Sequence, residues 1–333
     1  MKKLLLIATG GTIASRYTDQ GLSPSIPAQE LIQYIPETTA FCSIDTCEPF
    51  LLDSTNVGPQ QWLAIARIIG EKYYQYDGFV ICHGTDTLAY TAAALSYLIQ
   101  NNKKPVVLTG SQKPIDLPVT DARTNLADSC RFACDDRAWG VTVVFGGQAI
   151  AGTRAKKEYS KSYNAFSSIN FPPIATLQDD RTAFYVDDKS RIPGDFRVYN
   201  ELDTNVFLHK LIPGGDGSVL ERMRESTDAL VIESFGVGGI PARSGYYEAI
   251  RRYIEEGQQV IMSTQVVHEG SDMAVYEVGK IMKTDFDLME SYDMTLEACI
   301  TKTMWALAQT KDPADFRRLF YTPVGHDILF GPL

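Results

Sequence analysis

The stretch Leu4-Leu5-Leu6-Ile7-Ala8-Thr9-Gly10-Gly11-Thr12-Ile13-Ala14-Ser15 decides how the rest of the chain is read. An apolar run of strand length, Leu4 to Ala8, breaks abruptly into two glycines and then a hydroxyl residue. That is the pattern of a buried strand ending in a tight loop. At the carboxyl end of a parallel strand such a loop lies in the crevice where open α/β sheets bind ligands. Gly10 and Gly11 would let the backbone approach a ligand closely, leaving Thr12 to face the crevice. The plainer reading of the same residues is a first strand with a glycine turn. A dinucleotide loop fits less well, because Gly10-Gly11-Thr12 lacks the G-x-G-x-x-G spacing that seats a pyrophosphate on a helix end.

The design recurs twice. Asp77-Gly78-Phe79-Val80-Ile81-Cys82-His83-Gly84-Thr85-Asp86-Thr87 places a carboxylate beside the threonine, and Pro105-Val106-Val107-Leu108-Thr109-Gly110-Ser111-Gln112 follows. Three strands ending in Gly and Ser/Thr, separated by helical patterns, predict a parallel α/β sheet whose loops converge at one edge. Residues 16–30, rich in Ser, Gly, Pro and Gln, suit a lid or a surface hairpin, and Leu31 to Ile35 are expected to begin a short helix. Pro49 to Val57 reads as a strand ending in polar residues, with Asp53-Ser54-Thr55-Asn56 also fitting a capped turn. The fold class expected is α/β, a larger N-terminal domain with a parallel-rich sheet flanked by helices (1–185), a linker (186–205) and a smaller C-terminal α/β domain (206–333).

The chain has 333 residues, which favours two domains. A net charge of −10 and the lack of a long Lys/Arg run argue against a nucleic-acid partner. Lys2-Lys3 before Leu4 superficially resembles a signal peptide, but the apolar segment is too short and runs into glycines. A cytoplasmic protein with no membrane span is expected. Among Cys42, Cys47, Cys82, Cys130, Cys134 and Cys299 there is no C-x-x-C pair, so reduced thiols are expected, with no metal and no cofactor. His83 reads as a packed or turn histidine.

An amide can be cleaved without a metal if a hydroxyl nucleophile is activated, backbone N–H groups meet the oxyanion and the substrate is fixed. Thr12 and Thr85 sit on glycine loops, Asp86 lies beside the second, and Lys157 is a potential base. No G-x-S-x-G elbow is present. Thr9-Gly10-Gly11-Thr12-Ile13-Ala14 and His83-Gly84-Thr85-Asp86-Thr87-Leu88-Ala89-Tyr90-Thr91 resemble the two signature motifs of the bacterial-type L-asparaginases, in the cytoplasmic type I branch. The likeness continues through Asp53-Ser54, Thr109-Gly110-Ser111-Gln112, Asp121-Ala122-Arg123-Thr124-Asn125 and Ser234-Phe235-Gly236-Val237-Gly238.

The resemblance implies hydrolysis of L-asparagine to L-aspartate and ammonia, with Thr12 as the acylated nucleophile. By the same likeness Thr85, Asp86 and Lys157 form a second catalytic cluster. Asp86 would receive the α-ammonium group, and Ser54, beside Asp53, the α-carboxylate. It also implies a homodimer or homotetramer. Two departures stand out. The position of a lid tyrosine holds Leu22, with Tyr17 five residues earlier, and the positions matching a regulatory asparagine pocket are Lys156, Glu233 and Val266, whose different chemistry does not predict that site. The alternatives are a non-catalytic amino-acid sensor, an amidohydrolase with substantial glutaminase activity, and an archaeal amidotransferase component. That component carries an extra amino-terminal domain, for which a motif starting at residue 9 is expected to leave no room.

Overall fold

The computed structural model describes residues 1–19, 21–242, 244–275 and 283–331. The chain divides into two compact units, Met1–Asn200 and Glu201–Leu333.

In the first unit the strands are β1 (Lys2–Ala8), β2 (Ser15–Thr18), β3 (Gly21–Pro24), β4 (Cys42–Cys47), β5 (Gly78–Cys82), β6 (Ile99–Gln100) and β7 (Pro105–Thr109). They continue as β8 (Gly140–Phe145), β9 (Gln148–Ala151), β10 (Ala155–Lys157), β11 (Phe166–Ser168), β12 (Ala175–Gln178), β13 (Arg181–Phe184) and β14 (Arg197–Val198). Eight of them form one sheet in the order β13-β12-β9-β8-β7-β5-β1-β4. The ladders from β8 through β7, β5 and β1 to β4 are parallel, and β9, β12 and β13 add antiparallel pairs. Every residue of β5 and β7 is buried, which is why these strands read as unbroken apolar runs rather than as alternating ones.

The sheet order locates the crevice. From β1 the chain passes to β4 on one side, then returns to β5 on the other side and continues outward to β7 and β8. Outgoing connections therefore diverge between neighbouring β1 and β5, and an open parallel sheet binds ligands at such a switch point. Thr12 and Thr85 lie on the loops leaving these two strands.

Two local expectations change. Pro49 to Val57 is not a strand: the edge strand is Cys42–Cys47, and beyond it Leu52 alone bridges to Gly10. Pro49 has no N–H to give a ladder, so regular pairing stops before it. Leu31 to Ile35 does not open a helix of any length, since a single turn, Ala28–Leu31, tightens into a 3-10 turn, Ile32–Tyr34, and Pro36 disfavours helical geometry at Ile35. Residues 15–24 form the hairpin β2/β3, pairing Tyr17 with Leu22.

The second unit carries β15 (Val206–Lys210), β16 (Ala229–Ser234), β17 (Gln259–Thr264) and β18 (Met289–Glu290), parallel throughout and in chain order. The helix Tyr246–Glu255 buries Tyr246, Ala249, Ile250 and Tyr253, a helical stripe, in one core with Leu230, Ile232, Val260 and Met262. No helix among the described residues is long and apolar enough to cross a membrane.

Candidate active site

Glycines decide how closely the loops at the switch point approach. Gly10, at φ +106°, bridges to Leu52, and a Cβ there would stand 2.3 Å from the Leu52 carbonyl oxygen. Gly11, at φ +75°, donates its N–H to that carbonyl at 2.9 Å, and its own Cβ would fall 2.2 Å from Gly84 Cα and N. A Cβ on Gly84 would meet Ser54 Cβ and Oγ at 2.7 Å. The loops after β1, β4 and β5 thus touch backbone to backbone, at separations that other residues do not permit.

Thr12 opens the 3-10 turn Thr12–Ala14, held by Ser15 Oγ donating to the Gly11 carbonyl at 2.8 Å. Among the described residues, no hydrogen bond engages the half-buried Thr12 hydroxyl. Asp53 caps the next turn: its Oδ1 accepts from the Thr55 N–H at 2.8 Å and the Thr55 hydroxyl at 2.7 Å, which holds its carboxyl below the usual range. Ser54 is buried, and its Oγ accepts from the Asp86 N–H at 3.3 Å, leaving its hydroxyl proton to donate elsewhere. The Ser54 carbonyl accepts from the Thr87 hydroxyl at 2.7 Å, tying the β4 and β5 loops again.

Lys157 arrives from far along the chain. It ends β10, paired opposite Phe166 of β11, and its Nζ donates to Thr85 Oγ1 at 2.7 Å and to Asp86 Oδ1 at 2.6 Å. The lysine side chain is 16% exposed and that of Asp86 60%, so one carboxylate oxygen is shared with the lysine while the group still meets solvent. Thr85, Asp86 and Lys157 are brought into direct contact and Ser54 joins through the Asp86 backbone, whereas Asp53 is engaged by Thr55 and Thr12 has no bond to the cluster.

His83 is fully buried, and burial lowers its pKa to about 4. Its Nδ1 lies 2.7 Å from the Gly84 carbonyl and must donate to it. Nε2 therefore accepts from the Thr91 hydroxyl at 3.0 Å, and Thr91 Oγ1 accepts from Trp62 Nε1 at 2.9 Å. This chain of donors holds the peptide just before Thr85. A second brace runs from Asp121, whose carboxylate accepts the Gln112 and Lys113 N–H groups, to Asn125, which donates to the Gly110 carbonyl at 3.0 Å and accepts from Gly146 N at 3.0 Å.

Sequence reasoning assigned no such part to Trp62, Thr91, Asp121 or Asn125. A buried polar residue on an otherwise apolar helix was the available signal at Thr91.

The Asparaginase, N-terminal family model matches residues 3–190, and the Glutaminase/Asparaginase C-terminal domain model matches residues 205–320. An L-asparaginase from Thermococcus kodakarensis is 39% identical over 98% of this chain and 99% of its own. A glutamyl-tRNA(Gln) amidotransferase component from Pyrococcus furiosus is 33% identical over 98% of this chain and 76% of its own. The crystal structure of L-asparaginase I from Vibrio cholerae superposes with a TM-score of 0.88 at 29% identity, covering 99% of each chain. With both family models matched in order and the identity running through both units, the chain belongs to the asparaginase family.

Proposed function

We propose that the chain hydrolyses the side-chain amide of L-asparagine to L-aspartate and ammonia through an acyl-enzyme on Thr12, without a metal or other cofactor. The observation that carries this reading is Lys157 Nζ held between Thr85 Oγ1 and Asp86 Oδ1 beside the loop of Thr12. In this scheme Thr12 Oγ attacks the amide carbon, and its proton passes to the departing nitrogen, which leaves as ammonia. Water then cleaves the ester: the Thr85 hydroxyl, hydrogen-bonded to Lys157, relays the proton of the attacking water, and Thr12 Oγ regains a proton as aspartate leaves. Asp86 receives the α-ammonium group on its open oxygen, and the Ser54 hydroxyl on the turn capped by Asp53 donates to the α-carboxylate.

The proposal extends to a cytoplasmic location, to a homodimer or homotetramer, and to a linker at 186–205 between the catalytic and smaller domains. A fixed amino-acid clamp sets the chain length of the substrate. One methylene discriminates by only ~1–3 kcal/mol, so glutamine should react more slowly but measurably. The identity to an amidotransferase component supports a second reading, in which ammonia is released for a partner reaction.

The test is ammonia release from L-asparagine, L-glutamine and D-asparagine, followed by mass spectrometry of quenched variants. Thr12→Ala should abolish an aspartyl adduct, and Lys157→Met should slow turnover by roughly 10²–10⁴-fold. An adduct on Thr85, or glutamine turnover equal to that of asparagine, would overturn the assignment.

A further inference from the structure

Thr85 and Lys157 belong to different parts of the fold, although their side chains meet. Thr85 follows β5 within the eight-stranded sheet, and its loop is fixed against the loop after the neighbouring β7. The His83 N–H donates to the Thr109 carbonyl at 2.8 Å, and a Cβ on Gly110 would stand 2.4 Å from the His83 carbonyl oxygen. Lys157 instead ends β10, which pairs with β11 in a ribbon of its own, apart from the large sheet. That ladder runs from Ala155 opposite Ser168 to Lys157 opposite Phe166. A two-stranded ribbon is marginally stable by itself. Beyond Lys157 its tip, residues 158–164, is exposed throughout.

Gln112, in the loop after β7, joins this tip to the frame that carries Thr85. Its Nε2 donates to the Ser162 carbonyl at 3.0 Å and, at 3.5 Å, to the Tyr159 carbonyl. The two protons of one amide group thus serve two carbonyls of the tip. Lys113 adds a hold of its own, its Nζ lying 5.9 Å from the centre of the Tyr163 ring. The root of the tie is fixed, because the Asp121 carboxylate accepts the N–H groups of both Gln112 and Lys113. We propose, on the reading of Lys157 as the proton-relay partner of Thr85, that Gln112 is a positioning residue for the reaction. By pinning the tip to the loop after β7, it sets where Lys157 Nζ stands relative to Thr85 Oγ1 and Asp86 Oδ1. With the tie cut, the lysine must hold the ribbon end through its own two bonds, at a cost in side-chain freedom. A displacement of about 1 Å in such a group is enough to slow a reaction by about 10²-fold.

The experiment measures turnover of L-asparagine by the full chain and its variants. Gln112→Met keeps the side-chain length and removes the donor, while Gln112→Glu keeps the shape and sets a carboxylate against two carbonyls. Each should lower kcat by about 10–10²-fold. The unfolding midpoint should hardly move, since Gln112 lies half-buried at the surface. Amide hydrogen exchange over residues 158–165 should quicken in both. The decisive reading is the double variant with Lys157→Met. A residue that acts through the lysine then has nothing left to position, so adding Gln112→Met should change kcat by less than about twofold. Normal turnover by Gln112→Met beside an impaired Lys157→Met, or effects of the two changes that multiply, would overturn the proposal alone. Normal turnover by Lys157→Met, or none by the unmodified chain, would overturn the role given to the lysine and the proposal with it. If Gln112→Met does not fold, Gln112→Glu carries the same cycle.

Discussion

Replacing Thr91 by valine keeps the side-chain shape and removes one hydroxyl from a site where Thr91 and His83 are both 0% exposed and Trp62 is 5% exposed. That hydroxyl accepts from Trp62 Nε1 at 2.9 Å and donates to His83 Nε2 at 3.0 Å. Thr91→Val therefore leaves an indole N–H and an imidazole nitrogen without partners in a dry interior. Each orphaned group costs about 1–3 kcal/mol, so the variant should lose roughly 2–6 kcal/mol. Against a total of about 5–15 kcal/mol this is a large share, and the unfolding midpoint should fall by on the order of 10 °C.

The assay is denaturant and thermal unfolding of Thr91→Val, Trp62→Phe and the double variant. Removing the indole donor first leaves one orphan fewer, so the valine should cost about 1–3 kcal/mol less in the Trp62→Phe background. A loss below about 1 kcal/mol for Thr91→Val, or strict additivity of the two changes, would refute the relay as described.

Gly11→Ala should separate the β1 and β5 loops, because the new Cβ falls 2.2 Å from Gly84 backbone that cannot yield. Turnover of L-asparagine should drop by about 10²-fold or more, the scale of a misplaced reacting group. Gly21→Ala, at φ +113° with nothing within 4 Å, carries backbone strain alone and is the control. The pH dependence of stability should report His83. Its folded pKa of about 4 lies below the ordinary 6.5, so the neutral ring contributes stability that is present above pH 6.5 and lost as pH falls toward 4. The loss attributable to this group is about 3 kcal/mol, and unfolding of the protein and of His83→Asn from pH 7 to 4 should show the excess acid sensitivity only where the histidine remains. Parallel profiles would contradict it.

The strands Leu4 to Ala8, Phe79 to Cys82 and Val106 to Thr109 were legible because a fully buried parallel strand must be apolar on both faces, and the glycines that end each run are a local requirement. The parallel sheet and the smaller α/β unit followed from that rhythm. So did the prominence of Thr12, Thr85 and Asp86, which lie on the glycine loops themselves. The turn at Asp53 to Asn56 was equally local, since a carboxylate two residues before an N–H caps it. The strand expected over Pro49 to Val57 does not form, because the apolar character of Phe50 to Leu52 does not encode hydrogen bonding, which Pro49 interrupts, and the edge strand is Cys42–Cys47 instead.

Contacts across the fold were decided by strand order and packing. Lys157 meets Thr85 across 72 positions and Trp62 meets Thr91 across 29. Neither distance leaves a periodic trace in sequence, because loop lengths and sheet order determine which ends meet. That β1 and β5 are neighbours with outgoing connections in opposite directions is likewise a property of the assembled sheet. The hairpin places Tyr17 opposite Leu22, a juxtaposition set by register. Local chemistry thus chose the loops and their hydroxyls. The tertiary fold chose their partners, because bringing distant side chains together requires the burial and hydrogen bonding of the whole sheet to offset the entropy of closing the intervening chain.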